Sequence, residues 1–251
     1  MKEWSRMFGD RTTTLSEEFM TNKQLLPATA CIIPFMVYLI GSSFLGRLSS
    51  YWYPLGYGVV ASLTAFSLWR LWPTDLRRSI MPIHFRIGWG VVFGLVGIIF
   101  WIILSHLHLE RLLTSGLPAW LQVGERVSFN PLMEMNSPLT LSLFLIVRFV
   151  GIAALVPLVE ELFWRCFLLR WTIDPEWQQI PLGTFTWPSC LTVTALFTLA
   201  HPEWFAAASY CLLINGLLYW KKDLWLCVVA HGVSNFALAV YVLITGHWFL
   251  W

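Results

Sequence analysis

Seven apolar stretches dominate this chain: 24–46, 48–69, 87–109, 138–159, 177–202, 204–220 and 224–251. Six contain no Asp, Glu, Lys or Arg, and the seventh, 138–159, holds only Arg148. A bilayer crossing takes roughly 20 predominantly apolar residues, so the pattern predicts an all-α, polytopic transmembrane helical bundle of about seven to eight spans. Of 251 residues only 14 are acidic and 16 basic, about half the charged share of a soluble domain. A soluble fold, a disordered chain and a disulfide scaffold are excluded on that ground.

Charge placement sets an expected topology. Residues 1–23 are polar and mixed in charge, with Lys2, Arg6, Arg11 and Lys23 among four acids, and read as a cytoplasmic tail rather than a signal peptide. The connection from Arg70 through Arg77 and Arg78 to Arg86 then faces inside, as do Lys221 and Lys222. Residues 24–136 read as N-terminal transmembrane helices with an external loop, in which 112–127 lies in the interface. Residues 137–251 read as a catalytic transmembrane core. The sixteen tryptophans cluster at span ends, as an aromatic belt requires. A net charge of +2, spread over span ends, points away from nucleic acid. Cys31, Cys166, Cys190, Cys211 and Cys227 lie in apolar surroundings without C-x-x-C spacing and read as buried free thiols.

The stretch 177–202 is the exception among the spans. Its start is polar, and Pro188 to Ala200 would cover only about 20 Å as a helix. His201 precedes Pro202, a position biased away from helical geometry, so the helix is expected to end at that histidine. A regular helix from Pro188 would carry His201 away from the basic side on which the other polar residues below are placed.

Ionisable residues inside a membrane are costly and mark function by default. Three clusters qualify. In Glu160-Glu161-Leu-Phe-Trp-Arg165, Glu161 and Arg165 share a helix face in the favourable order. Glu160 points about 100° away, toward whatever the bundle encloses, where a carboxylate can act as a general base. Phe197-Thr-Leu-Ala-His201 offers an imidazole at a helix end. His231-Gly-Val-Ser-Asn235 puts an imidazole and a carboxamide on one face of an apolar helix. Singly, each has a bland reading as a helix end, a headgroup anchor or interhelical glue. Together they supply a base, an imidazole and donors for an oxyanion.

The order E-E-x-x-x-R, F-x-x-x-H, H-x-x-x-N resembles the CPBP (ABI) family of intramembrane glutamic proteases, which includes type II CAAX prenyl endopeptidases and bacteriocin-processing or self-immunity proteins. The fuller wording from Val156 to Trp171 is similar to the CAAX prenyl protease-related branch found beside bacterial exosortase systems. The resemblance covers about residues 138–245. It implies that Glu160 and His201 bind and activate water, and that His231 and Asn235 stabilise the tetrahedral oxyanion. Glu161 and Arg165 would hold the first motif in place, with Trp164 and Phe197 in support. Cys166 departs from the glycine that many relatives have after the arginine, at a cost in packing space and not in catalytic groups.

The resemblance also implies no cofactor, a membrane-associated peptide or protein substrate, exosortase-system partners, and a bacterial inner membrane with the N-terminus inside. Alternatives differ in class. A zinc site of Glu160, His201 and His231 would lack the H-E-x-x-H spacing, and His106-x-His108-x-Glu110 reads as a solvated span end. A non-catalytic scaffold, immunity or assembly protein would keep the fold without the chemistry. A transporter would rest on intramembrane charges including Arg148. That arginine lies twelve residues before Glu160, roughly 18 Å along a helix, and is expected to pair with another helix or line the cavity.

Overall fold

A computed structural model describes residues 28–72, 87–118 and 129–251. The tail 1–23, residues 73–86 of the basic connection and residues 119–127 of the interfacial segment, on which the expected orientation rests, lie outside the described residues. Each of the seven apolar stretches forms a helix: α1 (Ala28–Leu45), α2 (Tyr53–Leu71), α3 (Ile87–His106), α6 (Pro138–Trp171), α7 (Trp187–Leu199), α8 (Trp204–Lys221) and α9 (Leu224–Thr245). Two short helices, α4 (Leu109–Thr114) and α5 (Pro131–Glu134), lie between α3 and α6. Four helices, α1, α3 with its continuation to Thr114, α6 and α9, are long and apolar enough to cross a membrane. The helices turn Leu, Ile and Phe outward, at positions such as Phe66, Ile99, Leu143, Ile146 and Ile244, and bury Glu160, Glu161, Arg165, Asn215 and His231. Lipid as solvent demands that inversion.

Packing follows small residues. Gly90, Gly94 and Gly97 bring α3 against α9 and α8, where a Cβ on Gly94 would stand 2.5 Å from the Ala230 carbonyl oxygen. Such small-residue spacing lets helix backbones meet without a hydrophobic driving force. Ser234 reinforces the seam, its Oγ 2.8 Å from the Gly94 carbonyl and accepting from the Tyr210 hydroxyl at 3.0 Å.

Helix α6 is continuous but contains two π segments, Gly151–Leu155 and Leu162–Leu168. Pro157 accounts for the first. Having no N–H, it can bond neither Ala153, four residues back, nor Ile152, five residues back. Helix α9 meets both freed carbonyls. Asn235 Nδ2 donates to Ile152 O at 2.9 Å, and Gly232 lies so close that a Cβ would stand 2.5 Å from Ala153 O. Gly232→Ala is therefore expected to destabilise the fold by about 1–3 kcal/mol through overpacking. Thermal unfolding in detergent checks this, and an unchanged midpoint would show that α6 and α9 separate without cost.

Helix α7 resolves the conflict over depth. It ends at Leu199 with a turn through Ala200, and the His201 amide bonds Thr198 O at 3.1 Å. From Glu160 to the end of α6 at Trp171 is about 16 Å, and from Trp187 back to His201 about 21 Å. The short helix thus returns His201 to the level of Glu160 instead of carrying it across. Arg170, near the end of α6, is buried. It anchors the intervening loop by donating to Cys166 O and Ile180 O, with its guanidinium 4.7 Å from the Trp177 ring.

Candidate active site

Glu160, His201, His231 and Asn235 all line one cavity of about 480 Å³, within the roughly 300–1,000 Å³ typical of ligand sites. Trp164 and Phe197 line it as well, whereas Glu161 and Arg165 stand behind the wall. The cavity is not confined to the last four long helices. Residues of α1, α2 and α3, among them Tyr38, Tyr53 and Trp101, complete it.

Behind the wall, one oxygen joins two motifs. Glu161 Oε1 accepts from Arg165 Nη1 at 3.0 Å and lies 2.8 Å from His231 Nδ1. Arg165 is wholly buried. It also donates from Nε to Asn215 Oδ1 at 3.1 Å, lies 3.6 Å from Cys211 Sγ, and sits 5.2 Å from the Phe197 ring. The expected Glu161–Arg165 pair is present. Its extension to His231 and Asn215 links α6, α8 and α9 and is not visible in local spacing.

These bonds assign ring protons. A carboxylate shared with a guanidinium is an acceptor, so His231 donates through Nδ1 and its Nε2 is the nitrogen left for chemistry. His201 Nδ1 lies 2.8 Å from Phe197 O, and a carbonyl only accepts. Neutral His201 therefore holds a lone pair on Nε2. Its ring stacks on Phe197 at 4.4 Å and meets the edge of Trp101 at 5.7 Å, which fixes its orientation. Asn235 spends one amide proton on Ile152 O and keeps a second proton and its carbonyl oxygen.

The other candidates resolve differently. Glu110 is buried and caps α8 by accepting from the Phe205 amide at 2.8 Å, so it is not part of a solvated edge as expected. His106 and His108 are exposed. Among the described residues no three His, Cys, Asp or Glu side chains converge as metal ligands would. All five cysteines are buried and free.

The fold and the cavity together define an integral membrane protein, a helical bundle with a cavity lined by both polar and apolar side chains. Residues 142–237 match the family described as Type II CAAX prenyl endopeptidase Rce1-like. Glu160, His201, His231 and Asn235 all lie inside the matched segment. No curated protein and no solved structure matches the chain.

Proposed function

We propose that the protein is an intramembrane endopeptidase that hydrolyses a peptide bond of a membrane-associated or exported protein. The observation that supports this reading best is the opening of Glu160, His201, His231 and Asn235 onto one cavity, within the segment that matches the peptidase family. Water bound by Glu160 and by Nε2 of His201 attacks the substrate carbonyl carbon, and Glu160 takes the proton. The carbonyl oxygen becomes an oxyanion facing His231 and the remaining Asn235 amide proton. Because His231 Nδ1–H is committed to Glu161, donation to the oxyanion uses Nε2–H and hence the protonated ring. The C–N bond then breaks, the proton passes from Glu160 to the departing nitrogen, and the products are a carboxylate and an amine.

The test is cleavage of a panel of membrane-anchored peptides by purified protein in detergent, followed by mass spectrometry, with and without a zinc chelator. Chelator-insensitive cleavage is the expected result. Loss of cleavage on chelation, restored by zinc, would replace this mechanism with a metallopeptidase one. Absence of cleavage by folded protein would favour a non-catalytic scaffold. The wording of the first motif directs the substrate search toward exported proteins handled by bacterial exosortase systems.

A further inference from the structure

The cavity holds a second polar group that the hydrolytic mechanism does not use. Arg148, on α6, lines it together with Glu160. Its guanidinium lies 4.5 Å from the Tyr57 ring and 5.3 Å from the Trp251 ring, a geometry that holds a cation in place without neutralising it. Among the described residues no carboxylate forms an ion pair with it, and its buried Nε has no hydrogen-bond partner. Arg165 and Arg170, which are buried where Arg148 is only partly so, each have their nitrogens bonded within the fold. An intramembrane guanidinium that faces a chamber with donors to spare is suited to a planar anion. Tyr38 and Tyr53 line the same chamber and bring two more hydroxyls. Ile152, Val156 and Leu238 also line the cavity, which suits an apolar peptide chain.

We propose that Arg148 binds a carboxylate of the substrate and so sets where the chain lies relative to Glu160. This rests on the peptidase reading above. Twelve residues of helix separate the two positions, roughly 18 Å. Extended chain spans about 3.3 Å per residue, so covering that distance takes about five residues between the scissile bond and the carboxylate. Both a chain terminus and an Asp or Glu side chain present this group.

The test uses one palmitoyl-anchored, fluorescent aliphatic decapeptide made as the free acid, as the C-terminal amide, and as an amide ending in Asp. Binding to Glu160→Gln protein in phosphatidylcholine nanodiscs is read by anisotropy, and cleavage is read with the wild type. A charge-assisted contact corresponds to about a tenfold to hundredfold preference. The free acid, the Asp amide or both are expected to bind better than the plain amide by that factor, and which one does identifies the source of the carboxylate. Arg148→Gln should bring the ratio close to one, and Arg148→Lys should retain part of it. Equal binding of all three peptides to protein with Arg148 intact would overturn the proposal, whatever the stability of the variants, as would a preference that survives Arg148→Gln. Arg148-dependent competition by phosphatidylglycerol nanodiscs, without a peptide preference, would assign the site to a lipid phosphate instead. Acid-selective binding without wild-type cleavage would sink the peptidase reading and leave the carboxylate site standing. Cleavage without acid preference would do the reverse.

Discussion

Arg165→Met is expected to lower stability by about 3–5 kcal/mol, the range found when one partner of a buried ion pair is removed. The side chain is fully buried and bonds Glu161, Asn215 and Cys211, groups on two helices. Methionine fills much of the volume but leaves the Glu161 carboxylate enclosed with His231 as its remaining partner. Lipid offers that carboxylate no water, and misfolding or loss of protein follows. Thermal unfolding in detergent and the yield of folded protein measure the effect. Removing both charges, as Glu161→Leu with Arg165→Met, is expected to restore much of the loss, since a buried pair replaced by apolar groups is often close to neutral. The restored protein should nevertheless lack activity, because His231 has lost the acceptor that orients it. A single Arg165→Met variant as stable as the wild type would show that the network adds no stability.

Glu160→Gln is expected to reduce turnover about a hundredfold to ten-thousandfold, the usual contribution of a positioned general base, with little change in the unfolding midpoint. Gln keeps the shape and the hydrogen-bonding capacity of the side chain and removes only its ability to take a proton. Glu160 and Glu161 are adjacent in sequence, yet the first lines the cavity and the second does not. The two Gln variants should therefore separate: Glu160→Gln loses chemistry, and Glu161→Gln loses both stability and the orientation of His231. Single-turnover cleavage of a peptide found in the panel, paired with thermal unfolding, distinguishes them. A Glu160→Gln enzyme within tenfold of wild type would remove Glu160 from the role of base.

Much of this architecture is legible in the residues themselves. Apolar runs interrupted by charge mark every long helix, and His201-Pro202 marks the end of α7. Three short motifs, distant in the chain, name the four side chains that meet in the cavity. Other features depend on contacts that periodicity does not encode. Pro157 signals a disturbed helix, but only the fold shows that Asn235 and Gly232 of α9 meet the two carbonyls it frees. Asn215 sits in an apolar stretch with no motif around it and becomes significant only where α8 packs on Arg165. Glu110 reads as part of a polar edge in the sequence because its hydrogen-bond partner, the Phe205 amide, is ninety-five residues away. The depth of His201 is not legible from the length of its own helix against the whole bilayer. The relevant length was the remainder of α6 beyond Glu160.

The shared oxygen of Glu161 bears on how such proteins diverge. A lineage that abandons proteolysis and keeps the bundle no longer needs a general base at Glu160. It is not free to lose Glu161 or Arg165 singly, because either loss strands a buried charge in the network that ties α6 to α8 and α9. Retention of the acid-arginine pair in a relative therefore does not by itself report proteolysis, since the pair serves folding as well as the orientation of His231. The first glutamate and the histidine after α7 are the positions at which a relative that has given up chemistry would reveal it.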